Sequence, residues 1–322
     1  MKSIVGCKVF VWSVCVLAPG TACFAADGGR RAEWEDPAVN SENRLPPRTY
    51  SMPLADEAAA LTDALEPETP YKMSLNGTWK LSWAGNPDLR VKDFWKADFD
   101  DSRWFEIDVP SCVELRGFGS PGYTNVRYPH AWDPKRDVSK PTIRNRDTDR
   151  PDYNPVSSYR RTFTVPEGWK GRDVVLRFDG VYSAYYVWVN GKFVGYAEDS
   201  KLPSEFDITP YLNQTIEQSE QSNNVLAVEV YRWSDGSFLE DQDMTRYSGI
   251  FRDVTLWSKP KDGIWDFTVV TSHDEVEGWR LKVEVEADAV KLYDGEFNKV
   301  ADLTRDARVP LFNLQPSTFN LR

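Results

Sequence analysis

Short apolar runs with a two-residue period dominate the chain between Tyr71 and Ser258. In "SSYRRTFTVP" Tyr159, Arg161, Phe163 and Val165 fall on one face, and in "DVVLRFDGV" Val174, Leu176 and Phe178 do the same. "NNVLAVEVYRW" points Leu226, Val228 and Val230 one way, and "GIFRDVTLW" closes the series. "SLNGTWKLSW" adds an apolar-aromatic run around Asn76-Gly77. Such alternation predicts strands with one face in a core. The clearest hairpin is "SAYYVWVNGKFVGYAEDS", where Asn190-Gly191 suits a type I′ turn because both central residues need positive φ. Its first arm, Tyr185 to Val189, is apolar on both faces, which predicts a strand covered from two sides. Turn signals recur between these runs, and no helical segment is long enough to connect parallel strands. The pattern therefore predicts an all-β sandwich over residues 71–259, interrupted by a proline-bearing excursion from Pro121 to Pro155.

The flanks read differently. Residues 26–70 are polar and carry "RLPPR"; within them "LADEAAALTDALEP" predicts one short helix with Leu54, Ala58, Leu61 and Leu65 near one face. This leader is expected to lie over the domain that follows. After the linker "KPKDG", residues 260–322 hold the alternating strand "RLKVEVEADA", with Leu281, Val283 and Val285 opposed to Lys282, Glu284 and Glu286. Some sixty residues are, by order of magnitude, half of a sandwich domain, so this unit is expected to be partial.

Residues 1–25 have the grammar of a secretory signal. Lys2 and Lys8 precede the apolar stretch "VFVWSVCVLA", which is too short for a transmembrane helix, and small residues lead to a cleavage site after Ala25. The expected product is exported and periplasmic. A secreted product and a lipid anchor on Cys23, preceded by "GTA", stay open as alternatives; Gly20 stands where the anchor signal favours a branched apolar residue. Cleavage leaves Cys112 as the sole thiol, so no internal disulfide is expected.

Composition narrows the function. A net charge of -11 argues against nucleic acid and anionic membranes as partners. Two distant histidines, His130 and His273, with one thiol make a poor zinc site and a poor catalytic triad. The 13 Trp, 14 Tyr and 16 Phe suit core strands, and their flat faces also suit sugar rings.

One stretch concentrates polar chemistry. "SDGSFLEDQDMTRYSGIFRDV" places Glu240, Asp241 and Asp243 between two predicted strands. Asp241 and Asp243 point to opposite sides of an extended chain, so one of them faces a ligand. Two readings stand on pattern alone. Either Arg246 and Arg252 fix an ion-pair loop, or a carboxylate such as Asp243 reads sugar hydroxyls or ligates a hard cation. The spacing excludes an EF-hand.

"FDGVYSAYYVWVNGKFVGYAEDSKLPSEFDITPYL", "VEVYRWSDGSFLEDQDMTRYSGIFRDV" and "PGYTNVRYP" together resemble the N-terminal sugar-binding domain of glycoside hydrolase family 2 β-galactosidases, over roughly Tyr71 to Pro260. The run "RWSDGSFLEDQDM" favours the β-galactosidases over the β-glucuronidase and β-mannosidase branches, which share mainly the "WVNG" hairpin. The resemblance implies a jelly-roll sandwich, then an immunoglobulin-like sandwich, then a catalytic TIM barrel. It implies that Asn125, Val126 and Asp243 line the substrate site and that Asp243 helps hold a sodium ion. The family's catalytic glutamates and magnesium ligands belong to the barrel. This sequence has no Asn-Glu dipeptide and no βα repeat, so no catalytic residue is assigned and the chain alone is expected to be inactive. The implied partners are a β-galactoside and the catalytic domain, with a homo-oligomer left open for a longer protein. The alternative is a stand-alone, non-catalytic galactoside-binding or interaction module.

Overall fold

A computed structural model describes residues 32–62, 67–125, 154–213, 223–240, 242–275, 278–285, 290–293, 299–303 and 308–310. The signal segment with Cys23, most of the excursion with Val126, and Asp241 lie outside these residues. The strands of the sandwich are β1 (Ser41–Glu42), β2 (Lys72–Ser74), β3 (Gly77–Ala84), β4 (Phe105–Val109), β5 (Gly122–Thr124), β6 (Val156–Phe163), β7 (Asp173–Phe178) and β8 (Val181–Tyr182). They continue with β9 (Ala184–Val189), β10 (Lys192–Ala197), β11 (Ser204–Asp207), β12 (Asn224–Tyr231), β13 (Met244–Arg246), β14 (Gly249–Ile250) and β15 (Val254–Lys259).

Two antiparallel sheets face each other, in the order β1-β10-β9-β12-β6-β3-β4 and β11-β7-β15-β2. The all-β class read from the alternation is the class found. Between the sheets lies one apolar core, built from alternate residues of every long strand: Trp79 and Leu81, Leu176 and Phe178, Val187 and Val189, Val228 and Val230, Val254 and Leu256. The β9–β10 turn has Asn190 at φ 52 and Gly191 at φ 79, the positive values a type I′ turn demands. Strand β9 is buried along its whole length. Tyr185, Val187 and Val189 face the inter-sheet core, while Ala184, Tyr186 and Trp188 enter a second core on the other side of the same sheet.

That second core is closed by two irregular segments. Trp34 stacks on Tyr231 with centroids 5.1 Å apart, and Trp95 stacks on Trp188 at 5.1 Å. Arg160 projects into this layer although it sits in a strand that reads as half-exposed. Its Nε pairs with Asp101 at 2.7 Å, and its Nη1 donates to the carbonyls of Phe94 and Lys96. A buried guanidinium is tolerable because each donor finds an oxygen.

The leader contributes β1, which pairs with β10 through Ser41↔Ala197 and Glu42↔Tyr196. Further on, Arg48 pairs with Glu205 at 2.8 Å and lies 4.2 Å over the ring of Trp257. Of the helix expected over residues 54–67, residues 63–66 with Leu65 lie outside the described residues, and the helix found among the others is short. It spans Glu57–Ala60 (α1), with Asp56 Oδ1 accepting from Ala59 N at 2.8 Å, and Leu61 leaves helical geometry. Alanines supply propensity there, but such a short helix has little packing to hold it, and helices of this length are marginal on their own. Beyond the sandwich, β16 (Phe267–Asp274), β17 (Gly278–Val285) and β20 (Arg308–Pro310) form one antiparallel sheet, and β18 (Val290–Tyr293) pairs with β19 (Lys299–Leu303).

Candidate functional site

At one end of the sandwich the chain makes a separate two-stranded ribbon, β5 with β13, in the register Met244↔Thr124, Thr245↔Tyr123 and Arg246↔Gly122. Asn125 and Asp243 directly flank the terminal Met244↔Thr124 pair, one from each strand. Residues 118 positions apart in sequence are thereby placed at the same open end of the ribbon, and both are exposed. Tyr123 sits diagonally across from Asp243 on the same face, within reach of a long side chain. Its hydroxyl donates to Asp243 Oδ1 at 2.6 Å. That bond to a carboxylate pushes the Tyr123 phenol above its ordinary value, because ionising it would set two negative charges together.

The ribbon is anchored from beneath. Arg246 is almost fully buried and donates from Nη2 to the Gln242 carbonyl at 2.5 Å and from Nη1 to the Glu240 carbonyl at 3.4 Å. These bonds fold the loop back on its own strand. Arg232 reaches both sides of the ribbon, donating from Nη2 to Ser120 O at 3.0 Å and Arg246 O at 3.1 Å. Burial lowers the Arg232 pKa, and the buried Glu114 opposes that with a charge contact at 3.5 Å. Glu114 in turn accepts from Ser248 N at 2.8 Å and Ser248 Oγ at 2.6 Å.

The acidic loop itself opens with a short helix, α2 (Gly236–Leu239). Its carboxylates divide by role. Glu240 turns inward to accept from the Ser200 backbone N–H at 2.8 Å and from the Ser200 hydroxyl. Asp253 accepts from Asn76 Nδ2 at 2.9 Å, and Arg252 donates to the carbonyls of Lys201 and Asp179. Glu198 is buried beneath the loop beside Asp235, and burial raises its pKa strongly. Asp253 is also exposed but is taken up by the Asn76 carboxamide, whereas Asp243 presents an exposed carboxylate at the end of the ribbon that also carries Asn125. Such a pair offers acceptors and donors in the mixture that sugar hydroxyls require. Tyr123 occupies one Asp243 oxygen, and the other is a hard donor suited to an alkali or alkaline-earth ion. Among the described residues no three His, Cys, Asp or Glu side chains gather to hold a metal.

Sequence reasoning missed Tyr123, Arg232 and Glu114. Tyr123 was discoverable in retrospect: it precedes Asn125 by two positions, so it shares a face with it on a strand.

The class these observations define is a two-sheet β-sandwich that presents a polar site from loops at one end. Comparison with known proteins makes that specific. The family described as "Glycosyl hydrolases family 2, sugar binding domain" matches residues 72–260, and the chain belongs to that family. It is 44% identical over 252 residues to a protein named "Beta-galactosidase" from Priestia megaterium, covering 78% of this chain and 23% of that one. It is 36% identical over 293 residues to the "Beta-galactosidase large subunit" of Latilactobacillus sakei, covering 86% and 45%. The chain thus spans 23% to 45% of the length of these two curated relatives. Among solved structures, a Bacteroides uniformis β-glucuronidase superposes with a TM-score of 0.51 at 22% identity, covering 74% of this chain and 26% of that one, a likeness of fold alone. No helix among the described residues is long and apolar enough to cross a membrane.

Proposed function

We propose that this chain is the N-terminal part of an exported β-galactosidase and lends one wall to its active site. On this reading Asn125 and Val126 face the galactosyl group, and Asp243 both reads a substrate hydroxyl and supplies an oxygen to a sodium ion. The observation that supports the reading is the ribbon register, whose terminal Met244↔Thr124 pair is flanked by Asp243 and Asn125, in a chain 44% identical to a named β-galactosidase. The exposed second oxygen of Asp243 fits a sodium ion, whose remaining ligands come from outside the described residues. A bound sodium ion would fix the carboxylate and offset its charge; Tyr123 already fixes its other oxygen. Magnesium belongs, on this reading, with the catalytic glutamates on a barrel domain outside this chain. Retaining hydrolysis needs two carboxylates about 5–5.5 Å apart, one as acid/base and one as nucleophile. Asp243 beside an amide is not such a pair, so the chain contributes binding and not bond cleavage. The purified chain is expected to leave a chromogenic β-galactoside intact. Turnover that copurifies with the chain and disappears in Asp243→Asn would overturn that division of labour.

A further inference from the structure

The outer face of the β11-β7-β15-β2 sheet is only partly covered by the leader. Next to the Arg48–Trp257 contact a cleft of about 350 Å³ opens, with Tyr50, Met52 and Pro203 on its rim. This volume lies at the small end of ligand sites, about 300–1,000 Å³. Its floor is the cross-strand pair Thr255↔Arg177. Val254 and Leu256 turn into the core, so Thr255 between them turns outward into the cleft.

Thr255 is 5% exposed, and its hydroxyl is buried without a hydrogen-bond partner among the described residues. A hydroxyl so placed gains once a small side-chain shift lets a ligand hydroxyl reach and complete it. The charges around it are mixed in sign, Lys72, Arg177 and Arg252 against Asp179 and Asp253, and Lys72 Nζ donates to the Tyr50 hydroxyl at 3.3 Å. Arg177 donates to Asp179 at 2.6 Å and contacts Glu205 at 3.4 Å, while Asp253 and Arg252 stand on the same wall. An anion would meet two carboxylates there as well as the cations. Tyr50 keeps 45% of its surface exposed, with Arg177 held 4.9 Å from the ring centroid. Alternating donors and acceptors, an uncompleted hydroxyl and an open aromatic edge are what a polyhydroxylated ring needs.

We infer that this cleft is a second carbohydrate site, taking a neutral pyranose, separate from the ribbon that carries Asn125 and Asp243. The test is a titration of the isotope-labelled chain with galactose and, in parallel, glucose, followed by backbone amide shifts into the millimolar range. Saturable shifts are expected at Tyr50, Arg177 and Thr255. Thr255→Val keeps the shape without the hydroxyl, and Tyr50→Ala removes a rim residue outside the core. Each is expected to weaken binding about fivefold, the loss of one ordinary hydrogen bond or ring contact. Asp243→Asn should leave these shifts unchanged. The assignment is overturned if neither sugar gives a saturable shift, if binding survives both cleft variants, or if it is lost in Asp243→Asn. Shifts at these residues with inorganic phosphate and with neither sugar would also overturn it.

Discussion

Removing the Glu114 carboxylate should loosen the candidate site from below. Glu114 is 7% exposed and Arg232 is 5% exposed, so neither charge can turn to solvent when its partner goes. Glu114→Ala leaves the Arg232 guanidinium buried without its counter-charge and takes both acceptors from Ser248. Breaking a buried ion pair from one side costs about 3–5 kcal/mol. Glu114→Gln keeps one acceptor oxygen for the Ser248 N–H and keeps the volume, so its cost should fall to about 1–3 kcal/mol. Urea denaturation, with the slope compared between variants, reads the global term. Amide hydrogen exchange at residues 122–124 and 244–246 reads the local one, because Arg232 holds the carbonyls of Ser120 and Arg246. Both variants should lose protection in the ribbon, alanine more than glutamine. If both lie within about 0.5 kcal/mol of the parent, the level of an ordinary surface change, the network is not what anchors the site.

Two other perturbations test the sandwich. Gly195→Ala would put a Cβ 2.5 Å from the Glu42 carbonyl and 2.6 Å from the Phe206 ring, so it should cost about 1–3 kcal/mol and free β1 for early proteolysis; equal protease resistance would contradict the close approach. Burial pushes Glu229 up to about 7 from its ordinary 4.5, against the pull of Arg90, and raises Glu198 as well. Both groups bind a proton more tightly folded than unfolded. Their contribution is full below pH 4.5 and is lost as pH rises through about 7 for Glu229 and about 8 for Glu198, so the melting temperature should fall across that window and fall less in Glu198→Gln; a rise with pH would contradict the assignment.

Much of the fold was legible because strand alternation reports burial directly. The Asn190-Gly191 turn and the two-sided burial of β9 followed from residue type alone. Charged residues broke that logic. Arg160, Arg246 and Glu229 sit in strands yet are buried, since ion pairs and carbonyls, invisible in a local window, offset their desolvation. The candidate site was legible only in pieces. Asn125 and Asp243 came from a resemblance, and what joins them is a register between segments far apart in sequence. Tyr123 stayed hidden because its partner is 120 positions away. The second cleft was hidden too, since an unpartnered threonine hydroxyl has no sequence signature.

On the proposed function, this chain supplies one wall of a β-galactosidase active site with Asp243 at its edge. This is tested most directly by a chimera in which residues 31–260 replace the matching segment of the Priestia megaterium relative, assayed with a chromogenic β-galactoside across sodium concentrations. The folded chimera should hydrolyse the substrate. Asp243→Asn within it should lower kcat/KM by roughly 10- to 100-fold, the scale of one lost charged hydrogen bond, and should flatten the response to sodium. A folded Asp243→Asn chimera with undiminished kcat/KM and an unchanged sodium response would contradict the account.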